Sequence, residues 1–316
     1  MGTKRTIVVL GATGAQGGGV AGAILADPNG AFEVRAVTRN PDSPKAQELA
    51  RLGAEVVRAD LDDVESLKRA FDGAYGMFGL TNFWEHFSPE KETTQGRNLA
   101  EAAADAGIEH AIWSTFEDTR DWIPLDDDRM PTLQGRYKVP HFDAKAEADG
   151  EFTKRGVPTT FLRTSFYWEN AINFGTGPKR GEDGVLAITM PMGDKRLPGI
   201  AVEDIGAAAY GIFKAGDEYI GRKVGIAGEH LTGDEMAAGF GRALGEQVRY
   251  NDVPPDVYRG FGFPGADDMG NMFQFKRDFN EDYCGARDLA ETRRLNPALK
   301  TFDQWLDRNR ARIPVD

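Results

Sequence analysis

The stretch RYKVPHFDAKAEADGEF places His141 four residues before Lys145. Residues four apart lie on one face of a helix, and Pro140 is typical of a first helical turn, where its missing amide hydrogen is not needed. The spacing therefore predicts an imidazole beside an ammonium group, on a helix that begins too late to include Tyr137. An imidazole titrates near neutral pH and can donate a proton. The candidate catalytic residues are His141, Lys145 and Ser114, which ends a strand-like run.

A glycine-rich turn, GATGAQGGG, follows the first apolar run and opens a helix-like segment. Gly11, Gly14 and Gly17 have G-x-x-G-x-x-G spacing, which permits a tight turn, a close approach of the backbone to a pyrophosphate, and close packing of the helix. The helix N-terminus adds amide hydrogens and the positive end of its dipole. Because the turn lies directly after a strand, a dinucleotide site is favoured over a plain tight turn.

Arg39 indicates which dinucleotide is bound. The second strand-like run ends in Thr38 and Arg39, whereas proteins that prefer NAD commonly have an acidic residue here to bind the ribose hydroxyl. A guanidinium group is shaped to bind a phosphate. The sequence therefore predicts NADP(H) as the cofactor, with a solvated loop arginine as the alternative.

The third strand-like run ends in the stretch RADLDD. Asp60 and Leu61 are expected beside an adenine, because they follow the strand at the edge where ligands of open α/β sheets bind. Asp62 and Asp63 have a simpler alternative as caps of the following helix.

The fourth strand-like run ends in the stretch GLTNFWE. It delivers Thr81, Asn82 and Phe83 to the carboxyl edge of the predicted sheet, where they would line a ligand. Packing is the alternative role for Phe83 and Trp84.

Strand-like and helix-like segments alternate over the first 165 residues, with strands predicted at RTIVVLG, FEVRAVT, AEVVRAD, YGMFGLT, HAIWST and TTFLRTS. Most of these runs are almost continuously apolar, as in strands covered on both faces. The alternation predicts a parallel sheet with helices on both sides. We predict an α/β fold with a Rossmann-type doubly wound parallel sheet in residues 1–165. A smaller C-terminal α/β domain would follow in residues 166–316, with some chain exchange between the two.

One long connection interrupts the alternation, from Glu117 to Val139. Connections of this length are commonly lids or binding loops. We expect its run of three Asp to be solvated, and the segment to become ordered when a ligand binds.

The composition excludes several classes of protein. A net charge of −12 provides no basic face for direct nucleic-acid binding. No apolar run approaches the roughly 20 residues that cross a membrane. Four His and the single Cys284 share no metal-ligand spacing, so no metal site is predicted. The lone Cys cannot form an intrachain disulfide, which fits a reducing, cytoplasmic compartment.

The motifs GATGAQGGGVA, VTRNP, TNFWE, HFDAKAE, FYWEN, FGFPGA and NMF occur in an order that resembles the NmrA-like family, an atypical branch of the short-chain dehydrogenase/reductase superfamily. The resemblance extends over essentially the whole chain. More narrowly, the chain is similar to NmrA-like redox sensors that bind NADP and act through protein partners.

This resemblance implies a set of cofactor contacts along the chain. The phosphates would contact Gly11, Ala12, Thr13, Gly14, Ala15 and Gln16, with Arg39 at the 2′-phosphate, Asp60 and Leu61 at the adenine, Thr81, Asn82 and Phe83 at the middle, Lys145 at the ribose, and Tyr167, Trp168, Glu169 and Asn170 at the nicotinamide end. Phe83, Thr115 and Phe116 depart from the Tyr, Gly and Leu of relatives. These departures bear on the shape of the nicotinamide pocket.

Three functions are compatible with these residues. Catalytic members of the superfamily use a Tyr as proton donor, and here His141 stands in its place. The preferred hypothesis is therefore an NADP(H)-binding redox sensor with little or no catalysis, acting through a protein partner or as a homodimer. The alternative is an NADPH-dependent reductase of quinones or other carbonyl compounds. A scaffold with a vestigial fold is disfavoured by the intact glycine turn and Arg39.

Overall fold

The computed structural model describes residues 3–315. Its strands are β1 (Arg5–Val9), β2 (Phe32–Thr38), β3 (Glu55–Arg58), β4 (Gly76–Gly79), β5 (His110–Thr115), β6 (Thr159–Arg163), β7 (Phe166–Tyr167), β8 (Lys179–Arg180), β9 (Leu186–Met190), β10 (Leu197–Ile200), β11 (Lys223–Gly225), β12 (Glu229–Leu231) and β13 (Val248–Asp252).

The helices are α1 (Ala15–Leu25), α2 (Pro44–Arg51), α3 (Val64–Phe71), α4 (Pro89–Asp105), α5 (Pro140–Lys154), α6 (Asn170–Asn173), α7 (Val202–Ala215), α8 (Gly233–Leu244), α9 (Pro255–Arg259), α10 (Ala266–Asp278), α11 (Asn280–Gly285), α12 (Leu289–Leu295) and α13 (Phe302–Asn309). Short 3-10 turns include Phe83–Glu85 and Thr119–Asp121.

The central sheet has seven parallel strands in the order β11-β6-β5-β4-β1-β2-β3. Its strand order reverses at β1, which pairs with β2 on one side and with β4 on the other. In such sheets the crevice at the carboxyl end of the strands beside this reversal is the usual ligand site. The predicted α/β fold with a doubly wound parallel sheet is confirmed.

Alternating residues of the strands build a separate core on each face of this sheet. Ile7 and Val9 of β1 pack in one cluster with α1 and α7, whereas Val8 packs in another cluster with α3, α4 and α5. Both clusters are shielded from water, as expected for a parallel sheet covered on both sides. These covering helices fix the β1–α1 turn rigidly over the carboxyl edge.

The C-terminal half forms its own layer and also returns to the central sheet. Two three-stranded sheets, β12-β10-β7 and β13-β9-β8, enclose a third apolar cluster with α8, α10 and α13. Strand β11 nevertheless pairs with β6, and α7 packs on α1 in the first cluster. Residues 202–225 thus pack with the N-terminal sheet. The division of the chain at residue 165, with some chain exchange between the two parts, stays a prediction.

The connection from Glu117 to Val139 is held in place by contacts with the protein itself. The Asp143 carboxylate accepts hydrogen bonds from both the amide and the hydroxyl of Thr119 and from the amides of Lys138 and Val139. From α10, the side-chain amide of Asn271 donates to the carbonyls of Pro131 and Lys138. These hydrogen bonds attach the connection to α5 and α10, and its ordering by a bound ligand stays a prediction.

Candidate functional site

A deep cleft of about 1370 Å³ opens at the carboxyl edge of the sheet. Its floor is the turn after β1 and the end of β4, and its far wall comes from α5, α9 and α10. The volume exceeds the roughly 300–1,000 Å³ of typical small-ligand pockets. The cleft therefore has room for more than one small molecule.

The glycine turn has the backbone conformation and close helix packing expected of a phosphate-binding turn. Gly11 has a φ of +59°, which favours glycine. A Cβ atom on Gly17 would lie 2.2 Å from the Leu10 carbonyl oxygen, so only glycine lets α1 pack this closely on β1. No side chain caps the N-terminus of α1 at Gly14, and its first turn has no acidic residue. This uncapped end is suited to an anionic group.

Arg39 lines the cleft, and its guanidinium is paired with a carboxylate of the protein. Its guanidinium makes two parallel hydrogen bonds with Glu85, at 2.9 and 3.1 Å. Both side chains are largely exposed, so this pair is weakly stabilising and readily exchanged. A smaller recess of about 490 Å³ adjoins Arg39 and is also lined by Arg58 and Arg69.

The turn after β3 contains residues that line the cleft and one residue that caps the following helix. Asp60 and Leu61 line the cleft, and the Leu61 carbonyl accepts a hydrogen bond from Asn98 of α4. Asp63 is the N-cap of α3, as the alternative supposed. Asp62 also lines the cleft and forms an ion pair with Lys91 at 2.9 Å.

Lys145 lies in the cleft beside the end of β4. Its ammonium donates to the Thr81 carbonyl (2.9 Å), the Thr81 hydroxyl (2.6 Å) and the Glu92 carboxylate (2.6 Å). Glu92 is fully buried, and its second oxygen lies 3.3 Å from Nε2 of His86. A ribose hydroxyl could reach Lys145 only by sharing or replacing one of these acceptors, since an ammonium has three hydrogens.

Although burial raises the pKa of Glu92, the Lys145 ammonium, the nearby His86 ring and hydrogen bonds from Lys145 and Thr81 outweigh it and lower the pKa to about 2. Glu92 is therefore a carboxylate at neutral pH. The sequence prediction missed it, because Glu92 is one of several acidic residues in the first turns of α4.

Gln16 connects two predicted site residues. Its Oε1 accepts a hydrogen bond from the Ser114 hydroxyl at 2.8 Å, and its Nε2 donates to the Tyr167 hydroxyl at 2.5 Å. Ser114 is buried at the end of β5, and burial raises the pKa of Tyr167 to about 12. Ser114 therefore positions Gln16, while the neutral Tyr167 phenol lines the cleft.

His141 lies in the cleft and is oriented by Asp268 of α10. Its Nδ1 is 2.6 Å from Oδ1 of Asp268, and its backbone amide donates to Oδ2 at 3.1 Å. Trp84, Phe116 and Phe142 surround the ring, with centroids 4.8, 6.0 and 4.7 Å away. Because Nδ1 is held by the carboxylate, Nε2 is the nitrogen able to act on a ligand.

Several predicted contacts do not line the cleft. Trp168 is buried against Phe302 and Trp305 in the C-terminal cluster, and the Glu169 carboxylate binds the indole of Trp305 and the Val202 amide. Tyr167 ends β7 and Asn170 begins α6, and the turn between them directs Trp168 and Glu169 away from the cleft. Ala12 is likewise buried beneath its turn. The predicted residues that do line the cleft are Gly11, Thr13, Gly14, Ala15, Gln16, Gly17, Arg39, Asp60, Leu61, Thr81, Asn82, Phe83, His141, Lys145, Tyr167 and Asn170.

The far wall of the cleft was not predicted from the sequence. Besides His141 it presents aromatic and sulfur-containing side chains and one ammonium group, contributed by Phe142, Phe166, Tyr258, Met269, Met272 and Lys276. We call this part the inner chamber. It lies beyond the glycine turn and Arg39, and its residues come from α5, β7, α9 and α10.

Within residues 3–315, no three His, Cys, Asp or Glu side chains converge in a manner suited to a metal ion. Over the same residues, no helix has both the length and the apolar character needed to cross a membrane.

Comparisons with known proteins give a consistent family. The sequence profile of the NmrA-like family matches residues 3–306. The NmrA-like family domain-containing oxidoreductase FrzB of Cladobotryum sp is 32% identical over 286 residues, covering 85% of this chain and 83% of that protein.

Solved structures share the fold at lower identity. Nmra, described as a negative transcriptional regulator, superposes with a TM-score of 0.80 at 24% identity, covering 96% of this chain and 95% of that one; it has also been solved with NAD and with NADP. The triphenylmethane reductase of Citrobacter sp., solved with NADP(H), gives a TM-score of 0.74 at 20% identity and covers 96% of this chain and 99% of that one.

Proposed function

The chain belongs to the NmrA-like family, and we propose that it is an NADP(H)-dependent oxidoreductase that reduces a small quinone or other carbonyl compound in the inner chamber. The observation that carries this proposal is the His141–Asp268 pair at the wall of a cleft too large for one small ligand. A buried imidazole oriented by a carboxylate is a recurrent form of proton donor.

The residues present fit the proposed cofactor. The uncapped N-terminus of α1 and the glycine turn suit its pyrophosphate. Arg39 favours NADP over NAD because a guanidinium group suits a 2′-phosphate. The recess beside it is lined by both signs of charge, with Arg58 and Arg69 facing Asp60, Asp62 and Asp63. When bound, NADPH supplies a hydride.

The reduction of a carbonyl or quinone oxygen also needs a proton. The imidazolium form of His141, which carries a hydrogen on each ring nitrogen, would donate the hydrogen on Nε2 and become neutral. Asp268 accepts the hydrogen on Nδ1 and so fixes the ring. The aromatic side chains of Trp84, Phe116 and Phe142 exclude water from the ring and offer flat surfaces to a planar substrate. Lys145 would hold the ribose once Glu92 and Thr81 share its hydrogens.

Consumption of NADPH by the purified protein tests this proposal, with menadione, phenanthrenequinone and benzaldehyde as acceptors and the reduced products identified chromatographically. We expect turnover with at least one quinone and little without an acceptor. NADP⁺ binding without any acceptor-dependent oxidation would overturn the enzymatic proposal.

A second candidate, a cofactor-responsive regulator, is favoured by the two carboxylates that hold Arg39 and Lys145. Glu85 and Glu92 lie in the short segment from the Phe83–Glu85 turn to the start of α4. A cofactor that binds both Arg39 and Lys145 would displace this segment. The same segment carries Trp84 and Phe87, whose side chains are exposed on the surface. A regulator would transmit that change to a protein partner or a second copy of the chain. Hydrogen exchange confined to residues 83–92 and altered by NADPH, without turnover, would support it.

A further inference from the structure

Lys276 is a buried lysine at the wall of the inner chamber without a carboxylate partner. It is only 3% exposed, and its ammonium makes its one hydrogen bond with the Met272 sulfur, at 3.2 Å, among the described residues. A thioether is a weak acceptor. A buried charge normally has a counter-ion or strong acceptors, so this ammonium has capacity for a further ligand.

Three aromatic rings hold the ammonium in place. Its nitrogen lies 5.5 Å from the ring centre of Phe142, 5.7 Å from that of Phe273 and 5.3 Å from that of Tyr283. Cation–π attraction offsets part of the cost of burial. The nearby carboxylate does not neutralise Lys276, because Glu117 makes a two-point ion pair with Arg287, at 2.8 and 3.1 Å.

A second unsatisfied polar group lines the same cleft. The buried Ser165 hydroxyl has no hydrogen-bond partner among residues 3–315. Ser165 precedes Phe166, whose ring lies 6.2 Å from that of Phe273, one of the three rings around Lys276. A hydroxyl and an ammonium that both lack strong acceptors are suited to an oxygen atom on a ligand.

We infer that Lys276 forms a subsite for an anionic oxygen, as in a phenolate, an enolate or a carboxylate, carried by a planar aromatic or quinonoid substrate. A flat ligand is favoured because aromatic side chains, Phe116 and Phe142 among them, line the cleft. This inference names the substrate class of the proposed reductase and rests on that proposal for its biological role. Lys276 binds the oxygen remote from the proton-donating His141 and selects the ligand by charge.

A matched pair of ligands tests the subsite without turnover. The compound 2-hydroxy-1,4-naphthoquinone is an anion at neutral pH, whereas 2-methoxy-1,4-naphthoquinone is neutral and of similar shape. We expect calorimetry to show about 10- to 100-fold tighter binding of the hydroxy compound, both with NADP⁺ and without dinucleotide, as for a charge-assisted hydrogen bond. Equal affinity of the wild-type protein for both compounds would overturn the inference, whatever the behaviour of any variant.

Two substitutions test whether Lys276 causes the preference for the anionic compound. Lys276→Met should bring the two affinities within about threefold, because its unbranched side chain fills the space without the charge. Lys179→Met is the matched control, since Lys179 also lines the cleft but is exposed; it should leave the preference unchanged. A preference that survives Lys276→Met refutes the subsite. NADPH oxidation is measured separately. If the protein prefers the anionic compound but does not oxidise NADPH, the proposed reductase activity is refuted and the Lys276 subsite is not.

Discussion

Nδ1 of His141 lies 2.6 Å from Oδ1 of Asp268, although 127 residues of sequence separate them. The two residues lie in the first turns of α5 and α10, and each backbone is held in its own helix. Asp268 further accepts the His141 amide hydrogen. One carboxylate thus fixes both the ring and the backbone of His141.

We expect His141→Ala to lower acceptor-dependent kcat/KM by about 100- to 10,000-fold, the usual range for a lost general acid, and to leave NADP⁺ affinity within a few-fold. Asp268→Asn should lower the rate less, because the ring is retained but its orientation is weakened. His230→Gln is the control, as His230 lies outside the cleft lining. Steady-state kinetics would exclude His141 as the acid if turnover persisted in His141→Ala.

Arg39→Ala should weaken NADP⁺ binding by about 10- to 150-fold, the range of a charge-assisted hydrogen bond, with NAD⁺ binding nearly unchanged. Glu85→Gln should strengthen NADP⁺ binding by at most about fivefold, because the exposed Arg39–Glu85 pair contributes at most about 1 kcal/mol. Calorimetry measures both effects, and Arg51→Ala, distant from the cleft, is the control. Equal wild-type affinities for NAD⁺ and NADP⁺ would contradict the cofactor assignment.

The sequence predicted the parts of the site that depend on local order. Gly11, Gly17 and Arg39 follow strands that the apolar runs identify, so their place at the carboxyl edge follows from the βαβ pattern. Lys145 and His141 share a face because α5 begins at Pro140. Each of these predictions needed only the nearest secondary-structure elements.

The inner chamber depends on tertiary packing and was not predictable in that way. Asp268 and Lys276 lie on α10, in a region with irregular sequence and weak periodicity. Asp268 contacts His141, and Lys276 lines the cleft, only because of the way that helix packs. Trp168 and Glu169 were predicted to contact the cofactor, but they do not line the cleft. They follow a true lining residue, Tyr167, but β7 ends there, so Trp168 packs in the C-terminal cluster and Glu169 binds Trp305 of that cluster.

Glu92→Gln should lower the free energy of unfolding at neutral pH by about 3 kcal/mol, because it leaves the buried Lys145 without its counter-charge. The wild-type pKa of Glu92 is lowered from 4.5 to about 2. As the pH falls, Glu92 is therefore protonated in the unfolded chain before it is protonated in the folded chain. The stabilisation that the Glu92 carboxylate contributes above pH 4.5 is lost between about pH 4.5 and 2. Denaturant titrations at several pH values should show the difference from wild type narrowing over this window. Glu109→Gln, an exposed site, should show no such trend.

Lys276→Met should raise the free energy of unfolding at pH 7, because burial, with a smaller contribution from Arg287 that Glu117 opposes, lowers the pKa of Lys276 from 10.5 to about 7. The charged groups that face it are Arg287 and Glu117, together with the Tyr283 phenol. Between about pH 7 and 10.5 the unfolded chain holds one more proton than the folded chain, so burial of Lys276 destabilises the wild type increasingly as the pH falls through this window.

At 1.36 kcal/mol per pKa unit, the gain in Lys276→Met would reach at most about 5 kcal/mol at pH 7. It should shrink by about 1.4 kcal/mol for each unit of rising pH, as denaturant titrations from pH 7 to 9.5 would show. Lys179→Met should give a small difference that does not depend on pH, since its ammonium is exposed. If Lys276→Met were instead less stable than wild type at pH 7, cation–π contacts with Phe142, Phe273 and Tyr283 would outweigh the cost of burial, and the ammonium would be a structural element of the chamber wall.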